Sequence, residues 1–248
     1  MNHISNSAKI MQNVNIGYYC VIGDEVVIGS NVSIGNNVTI YAGTNIGDNV
    51  NIESSAVIGR QPRPAKTSTV KFAEPLKPLE IGPDTTVGAG AVLYAGTKIG
   101  CCCLIGDTSV LREGCIVGDY VIVGTGTITE NCVSIGNNTK IQSGSYITAH
   151  TTIGENCFIA PMVTTTNDNF MGRTEQRFKY IKGATIKDNA RIGGGSILLP
   201  GVTIEQESFI AAGAVVTKNT QPCKVYMGIP AREIRSVPKN ELLEVDNK

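Results

Sequence analysis

Histidine is almost missing: the 248 residues hold only His3 and His150. A zinc centre built on three imidazoles is therefore excluded, and no metal is expected. Excess charge is missing too. Twenty-one Lys and Arg balance 21 Asp and Glu, so no global field draws the chain to nucleic acid. No stretch of 18 apolar residues occurs, which leaves nothing to span a membrane as a helix. There are eight cysteines but no CxxC pair. Cys20, Cys103, Cys115 and Cys157 fall at one recurring small slot of the pattern described below, so reduced packing cysteines are expected. The run Cys101-Cys102-Cys103 suits neither a metal nor a simple disulfide, because alternate members face opposite ways. Met1-Asn2-His3-Ile4 enters the pattern directly, without a signal peptide, and a cytoplasmic location is expected.

What is present is a period. Isoleucine stands at 4, 10, 16, 22, 28, 34, 40, 46, 52 and 58. A stride of six is neither helical nor alternating, and a fixed internal period outranks other fold signals. The stride resumes at Ile81 and runs to Thr165, then resumes at Ile186 and runs to Val216. Only Thr129 and Thr165 break the aliphatic column. Four residues after each aliphatic position comes a small or compact residue, as at Val14, Cys20, Ala91 and Ser109. Each hexad thus turns one large and one small side chain inward. Three hexads close a triangular prism, so a coil takes about 18 residues and stacks at ~4.8 Å. About ten coils are expected. One domain over 1–220 follows, with excursions at 60–80 and 167–185, and a C-terminal tail over 221–248 with room for a short helix.

The period also assigns sides. With Ile4, Ile22, Ile40 and Ile58 on side A, and Ile81 on side B, side A continues through Leu93, Leu111, Thr129, Ile147 and Thr165. Both excursions then leave from side A. Glycine follows the aliphatic residue on side B, at Gly82, Gly100, Gly118, Gly136 and Gly154. On side A the same slot holds Tyr94, Arg112, Glu130, Thr148 and Thr166. Spacer glycines have been replaced by polar groups at one corner, and the two threonine breaks lie on that side. Long excursions from a compact scaffold carry function. The first holds Arg60, Arg63, Lys66 and Phe72. The second holds Phe170, Arg173, Arg177, Phe178, Lys179 and Tyr180. Basic and aromatic residues together suit an anionic ligand that bears a ring. Arg112, Glu113, Glu130, Asn131, His150, Asn167 and Asp168 stack along the corner. His150 and Asp168 share a slot on successive coils, roughly one strand spacing apart (about 5 Å), close enough for the carboxylate to orient the imidazole.

The repeat [ILV]-Gly-x-x-[small]-x over 4–59 and 81–232 resembles the bacterial hexapeptide acyltransferases. Gly228-Ile229-Pro230-Ala231-Arg232 resembles the closing motif of that family. The resemblance implies an all-β, left-handed parallel β-helix, although the general rule for parallel crossovers gives the opposite hand. Thr164-Thr165-Thr166-Asn167-Asp168 resembles the TND motif of N-acetyltransferases that act on nucleotide-linked amino sugars, and residues 109–124 are similar to that branch. That implies transfer of an acyl group, usually acetyl, from acyl-CoA to the amine of a dTDP- or UDP-linked 3-amino or 4-amino deoxysugar, for surface polysaccharide or glycan biosynthesis. It implies a homotrimer with sites between adjacent rods.

On this reading His150, Asp168, Asn167 and Glu113 are the candidate catalytic residues. Arg112, Asn131, Arg60, Arg63, Arg173 and Arg177 would hold the nucleotide-linked sugar. Lys218, Arg232, Gly195 and Ala212 would hold the coenzyme. Ala149 stands where related enzymes with a histidine base carry that histidine, five residues before a glycine, and His150 is one place later. The alternatives are a sugar O-acetyltransferase of the same fold and a non-catalytic structural rod. An O-acetyltransferase would depend absolutely on His150; a rod would have a flat regular face without basic excursions. A lipid A type acyltransferase needs a helical C-terminal domain that the residues after Val216 do not accommodate. A γ-class carbonic anhydrase needs three histidines.

Overall fold

The structure is a computed structural model that describes residues 1–68 and 74–243. Phe72 lies outside the described residues. Each hexad contributes a two-residue strand, such as Val21–Ile22, Val27–Ile28 and Ser33–Ile34. The residue three after the strand's last position tightens each corner, often with positive φ: Asn31, Asn37, Asn138 and Asn156 lie near φ 53 to 58. Asparagine tolerates that region, whereas β-branched residues do not. Strands eighteen residues apart pair in parallel, as in Val110↔Ile128 and Leu111↔Thr129. Three sheets of 11, 10 and 12 strands form the sides of a left-handed parallel β-helix. Among the described residues no helix is long and apolar enough to cross a membrane.

The expected ten coils undercount the rod. Side A stacks 11 strands, and the third side, side C, which carries Ile16, Ile34, Ile52 and Val87, stacks 12. The surplus on side C comes from a hairpin without the repeat: Lys224–Met227 pairs in parallel with Phe209–Ile210, then in antiparallel with Arg232–Ser236. A short 3₁₀ turn at Lys239–Glu241 follows.

The core is the pair of inward columns. Ile22, Ile28, Ile40, Ile105, Ile141 and Ile147 are sealed from solvent, as are the small-slot residues Val26, Val38, Ala91 and Val121. All eight cysteines are free, and Cys20, Cys103, Cys115 and Cys157 are buried, in the packing role expected of them. Burial pushes the Cys115 thiol up to about 12 and that of Cys157 to about 11, so both stay protonated. Their S–H groups point to the carbonyls of Glu130 and Lys187, one coil on. Polar ladders tie the coils outside. Asn13 donates to Asn31, Asn31 to Asn49, and Asn49 to Asp84, at 3.0–3.1 Å.

The two threonines in the aliphatic column differ. The Thr165 hydroxyl accepts the Thr148 amide at 2.8 Å. The Thr129 hydroxyl is buried without a hydrogen-bond partner among the described residues. An unpaired buried hydroxyl costs ~1–3 kcal/mol, and valine has the same shape. Thr129→Val is expected to raise unfolding free energy by about 1 kcal/mol, read as a higher denaturant midpoint at unchanged slope. A lower midpoint would show that this hydroxyl is satisfied in solution.

Candidate functional site

Both excursions leave side A and return on side B. The first runs between Val57–Arg60 and Glu80–Ile81, the second between Thr164–Thr165 and Thr185–Ile186. From Leu93 onward side A carries no spacer glycine, in contrast to side B. At the side B corner a Cβ on Gly82 would lie 2.6 Å from Gly100 C, and one on Gly136 would lie 2.6 Å from Gly154 C. No side chain fits there. Side A admits them, and its stack carries a charged network.

Arg112 lies at its centre. Its Nε and Nη2 donate to the two oxygens of Glu113 at 2.8 and 3.0 Å, and its Nη1 lies 3.5 Å from Glu130 Oε2. Glu113 is only 3% exposed. A buried carboxylate needs such a partner. Burial alone would lower the Arg112 pKa, but the two carboxylates outweigh it and the guanidinium is held cationic. It also stacks over Tyr94, 5.1 Å from the ring centroid, and Arg60 lies 5.6 Å from the same ring. On the next coil, burial and then the Glu130 carboxylate push the Tyr146 phenol up, so it remains a donor. Both Glu113 oxygens are therefore engaged by Arg112. In this arrangement Glu113 positions a cation; it does not face the site as a free carboxylate.

Arg60 reaches Tyr94 because of a bulge. Ile58 pairs with Leu93, but the next pairing is Arg60 with Tyr94, and Gly59 between them has φ 79. A Cβ at Gly59 would run into the Thr44 hydroxyl. Such a bulge re-aims the following side chain. The neck of the first excursion is then clamped by the Gln61 amide, which donates to Leu76 O at 2.8 Å and accepts from Leu76 N at 3.0 Å. Under this clamp lies a cavity of about 230 Å³ lined by Arg60, Pro62, Arg63, Pro64, Tyr94 and Arg112, among others.

The second excursion is organised by Asp168. One carboxylate oxygen accepts the Phe170 amide at 2.8 Å; the other accepts the Gly172 amide at 2.9 Å and Arg177 Nε at 2.8 Å. Burial would raise its pKa, but these donors more than offset it and hold the group below the usual carboxylate range. Arg177 lies over Phe178, and the rings of Phe170 and Tyr180 are 5.8 Å apart. Lys182 N donates to Asn167 O at 3.0 Å and closes the neck. The Asn167 side chain points back to Ala149 O at 3.4 Å.

Among the described residues no hydrogen bond or ion pair joins Asp168 to His150. The direct pairing expected from their shared slot does not form, because the chain has already turned into the excursion at Asp168. Gly183 takes its place over the histidine: a Cβ on Gly183 would lie 2.5 Å from His150 C. His150 itself sits at a corner with φ 63, its amide on Asn131 O at 3.1 Å, its side chain exposed. Asn131 thus supports His150 from one coil below. Arg173 is exposed on the second excursion.

The four residues expected at the coenzyme sit toward the C-terminal end. Gly195 (φ 66) and Ala212 are exposed on successive coils at the corner that leads onto side A, where Gly213 N donates to Gly194 O at 2.9 Å. Nothing lies within 4 Å of a Cβ at Gly195, so the corner is open. Lys218 is exposed just beyond the last side A strand, and Arg232 opens the final hairpin strand. Sequence reasoning missed Tyr41, Gly59, Gln61 and Gly183. Tyr41 had a signal, since it occupies a slot that holds Gly23 and Gly59 on the adjoining coils.

The outward residues of side A form an apolar stripe that includes Val21, Val92, Val110, Ile128, Tyr146 and Ile197; Val21, Ile128, Tyr146 and Ile197 are 37–43% exposed. On side B the corresponding residues include Lys9, Asn45, Glu80, Lys98 and Ser134.

Comparison with known proteins agrees with this architecture. Residues 25–60, 96–131, 132–167 and 183–218 match the profile of the family described as bacterial transferase hexapeptide (six repeats). The chain is 40% identical over 89 residues to galactoside O-acetyltransferase of Escherichia coli strain K12, covering 35% of this chain and 44% of that protein. It is 32% identical over 191 residues to the bifunctional protein GlmU of Rubrobacter xylanophilus, covering 64% of this chain and 39% of that one. The matches span less than half the length of these curated relatives. The fold of UDP-N-acetylglucosamine O-acyltransferase from Moraxella catarrhalis superposes with a TM-score of 0.52 at 19% identity, over 96% of this chain and 74% of that one. A stack of hexads, its corner glycines and this profile over more than half the sequence lead to one conclusion: the chain belongs to the bacterial transferase hexapeptide family.

Proposed function

We propose that the protein is an acyltransferase that moves an acyl group, acetyl in the first instance, from acyl-CoA to the amine of a dTDP- or UDP-linked 3-amino or 4-amino deoxysugar. One observation carries the reading. Side A holds a guanidinium cluster under the first excursion and, a few coils away, an exposed imidazole beside Asn167 under the second. A diphosphate suits the first group. An amine that must lose a proton before attack suits the second.

In this reading Arg60, Arg63 and Arg112 hold the diphosphate, with Arg112 aimed by Glu113. Asn131 and Asn167 border the sugar, and Arg173 and Arg177 flank it from the second excursion. Asp168 keeps that excursion in place. His150 accepts the ammonium proton. The amine attacks the thioester carbonyl, backbone amides of the glycine-poor corner stabilise the oxyanion, and the thiolate leaves and is protonated. Lys218 and Arg232 take coenzyme phosphates, and the open corner at Gly195 and Ala212 admits the pantetheine arm. The apolar stripe supports a homotrimer whose sites lie between rods, since large exposed apolar patches mark association surfaces.

A sugar O-acetyltransferase is the second reading, favoured by the printed activity of the Escherichia coli relative. Thiol release from acetyl-CoA over a panel of nucleotide amino sugars and simple galactosides separates the two. An alcohol needs a stronger base than an amine. His150→Ala is expected to leave at least about a tenth of kcat/KM on the amino sugar, whereas general-base catalysis of an alcohol would fall about 10²–10⁴-fold. Turnover of galactosides alone, abolished in His150→Ala, would establish the second reading.

A further inference from the structure

The cavity under the first excursion has a neighbour. A second chamber of about 340 Å³ is lined by Tyr41, Val57, Arg60, Gln61 and Arg63. Arg60 and Arg63 line both chambers, so the two adjoin across these side chains. Their characters differ. Beyond the shared Arg60 and Arg63, one end offers a tyrosine ring and a valine, and the other offers Tyr94 and Arg112. We infer that this double groove is a nucleoside diphosphate half-site in which Tyr41 stacks on the base and Arg60 and Arg63 take the phosphates.

Three observations support the assignment. The first is charge. Arg112 is neutralised by Glu113 and Glu130, but Arg60 and Arg63 have no carboxylate partner among the described residues, which leaves two cations for a dianion. The second is construction. The Gly59 bulge aims Arg60, the Gln61–Leu76 clamp fixes the neck of the excursion next to Arg60, and Tyr41 replaces a glycine of the neighbouring coils while remaining 37% exposed. A half-exposed ring at the mouth of a groove is a stacking platform, and stacking tolerates any base. The third is spacing. From the coil of Tyr41 to that of Arg112 is three strand steps, ~14 Å, and from Arg112 to the coil of Thr148, just before His150, two more, ~10 Å. A base, a diphosphate and a sugar laid along side A would thus bring the sugar to His150.

The inference rests on the proposed nucleotide-linked substrate, yet it fails separately. The test is calorimetry of the full chain with dTDP, UDP, inorganic pyrophosphate and, as a control, coenzyme A. The wild type is expected to bind the nucleoside diphosphates at least about tenfold more tightly than pyrophosphate. Tyr41→Ala is expected to abolish that difference, and Tyr41→Phe to keep it, with coenzyme A binding unchanged in both. Tyr41 is 37% exposed and lies outside the sealed core, so the alanine variant is expected to fold, and circular dichroism checks this. Equal binding of pyrophosphate and dTDP would overturn the base site. So would a Tyr41→Ala enzyme that acylates a nucleotide amino sugar with unchanged KM, which would leave the proposed reaction standing. Tyr41-dependent dTDP binding without any acyl transfer would uphold the groove and remove the reaction.

Discussion

Ile105→Asp is expected to yield no folded protein. Ile105 is fully buried on side C, between Val87 and Val123 on the coils before and after it. The substitution removes an isoleucine's burial, roughly 2–5 kcal/mol with the void it leaves. It also places a carboxylate where no donor stands, several kcal/mol more. Together these exceed most of the 5–15 kcal/mol that holds a typical domain. The damage also spreads. Each coil is stable only on its neighbours, so one broken level divides the stack in two. Far-ultraviolet circular dichroism should show loss of the β signal and the protein should pass to the insoluble fraction. Ile105→Val, at about 0.5–1.5 kcal/mol, should fold with a modestly lower melting point. A soluble, cooperatively melting Ile105→Asp protein would mean that the interior is wet, contrary to the sealed columns described above.

Asp168→Ala is expected to cost at least about a hundredfold in kcat/KM while leaving the melting point of the rod within a few degrees. The carboxylate is the one group that ties Phe170, Gly172 and Arg177 together. Hydrogen bonds to a charged acceptor are stronger than those between neutral groups, and this side chain is 12% exposed. Without it the two loop amides and the guanidinium lose a shared acceptor, and the excursion no longer holds Arg173 and Arg177 in the places proposed for them beside the sugar. Limited trypsin digestion reads this directly: cleavage at Arg173, Arg177 or Lys179 should accelerate in the variant. Asp168→Asn keeps one acceptor and should fall between. The pH dependence has a definite sign. Because the folded carboxylate titrates below its ordinary value, the clamp is fully present above that ordinary value and is lost only as pH falls through the lower, folded one. Between pH 5 and 8 the digestion rate of the wild type, normalised at each pH to that of an unfolded control substrate, should therefore be flat. Unchanged digestion and activity in Asp168→Ala would show that the necks alone order this excursion.

Much of this was legible before any coordinates. The stride of six gives the strands, and counting by eighteen places Leu93, Leu111, Thr129, Ile147 and Thr165 on one side, with both excursions leaving from it. That arithmetic works because coils are congruent, so a residue's index is its address. It stops working where congruence stops. Asp168 was placed beside His150 by index, but it already belongs to the excursion, whose internal partners follow no period. Gly183 could not be set over His150 without knowing how the chain returns. The bulge at Gly59 was invisible because glycine there looked like one more spacer. From sequence Glu113 is a candidate catalytic carboxylate, because adjacency to Arg112 does not reveal that the two form a closed fork. The terminal hairpin lacks the repeat and so escaped the coil count.

Stacking in register makes distance along side A discrete. The exits of the two excursions, at Ile58 and Thr165, are five pairings apart, Ile58–Leu93–Leu111–Thr129–Ile147–Thr165 on one sheet. A relative that gained or lost eighteen residues between Leu111 and Ile147 would lengthen or shorten that span by one increment of ~4.8 Å and rotate nothing. A change of six would instead swing everything beyond it onto a different flank. Acceptors of graded size would then be accommodated in whole increments, and the size of the rod and the reach of its substrate should vary together across the family.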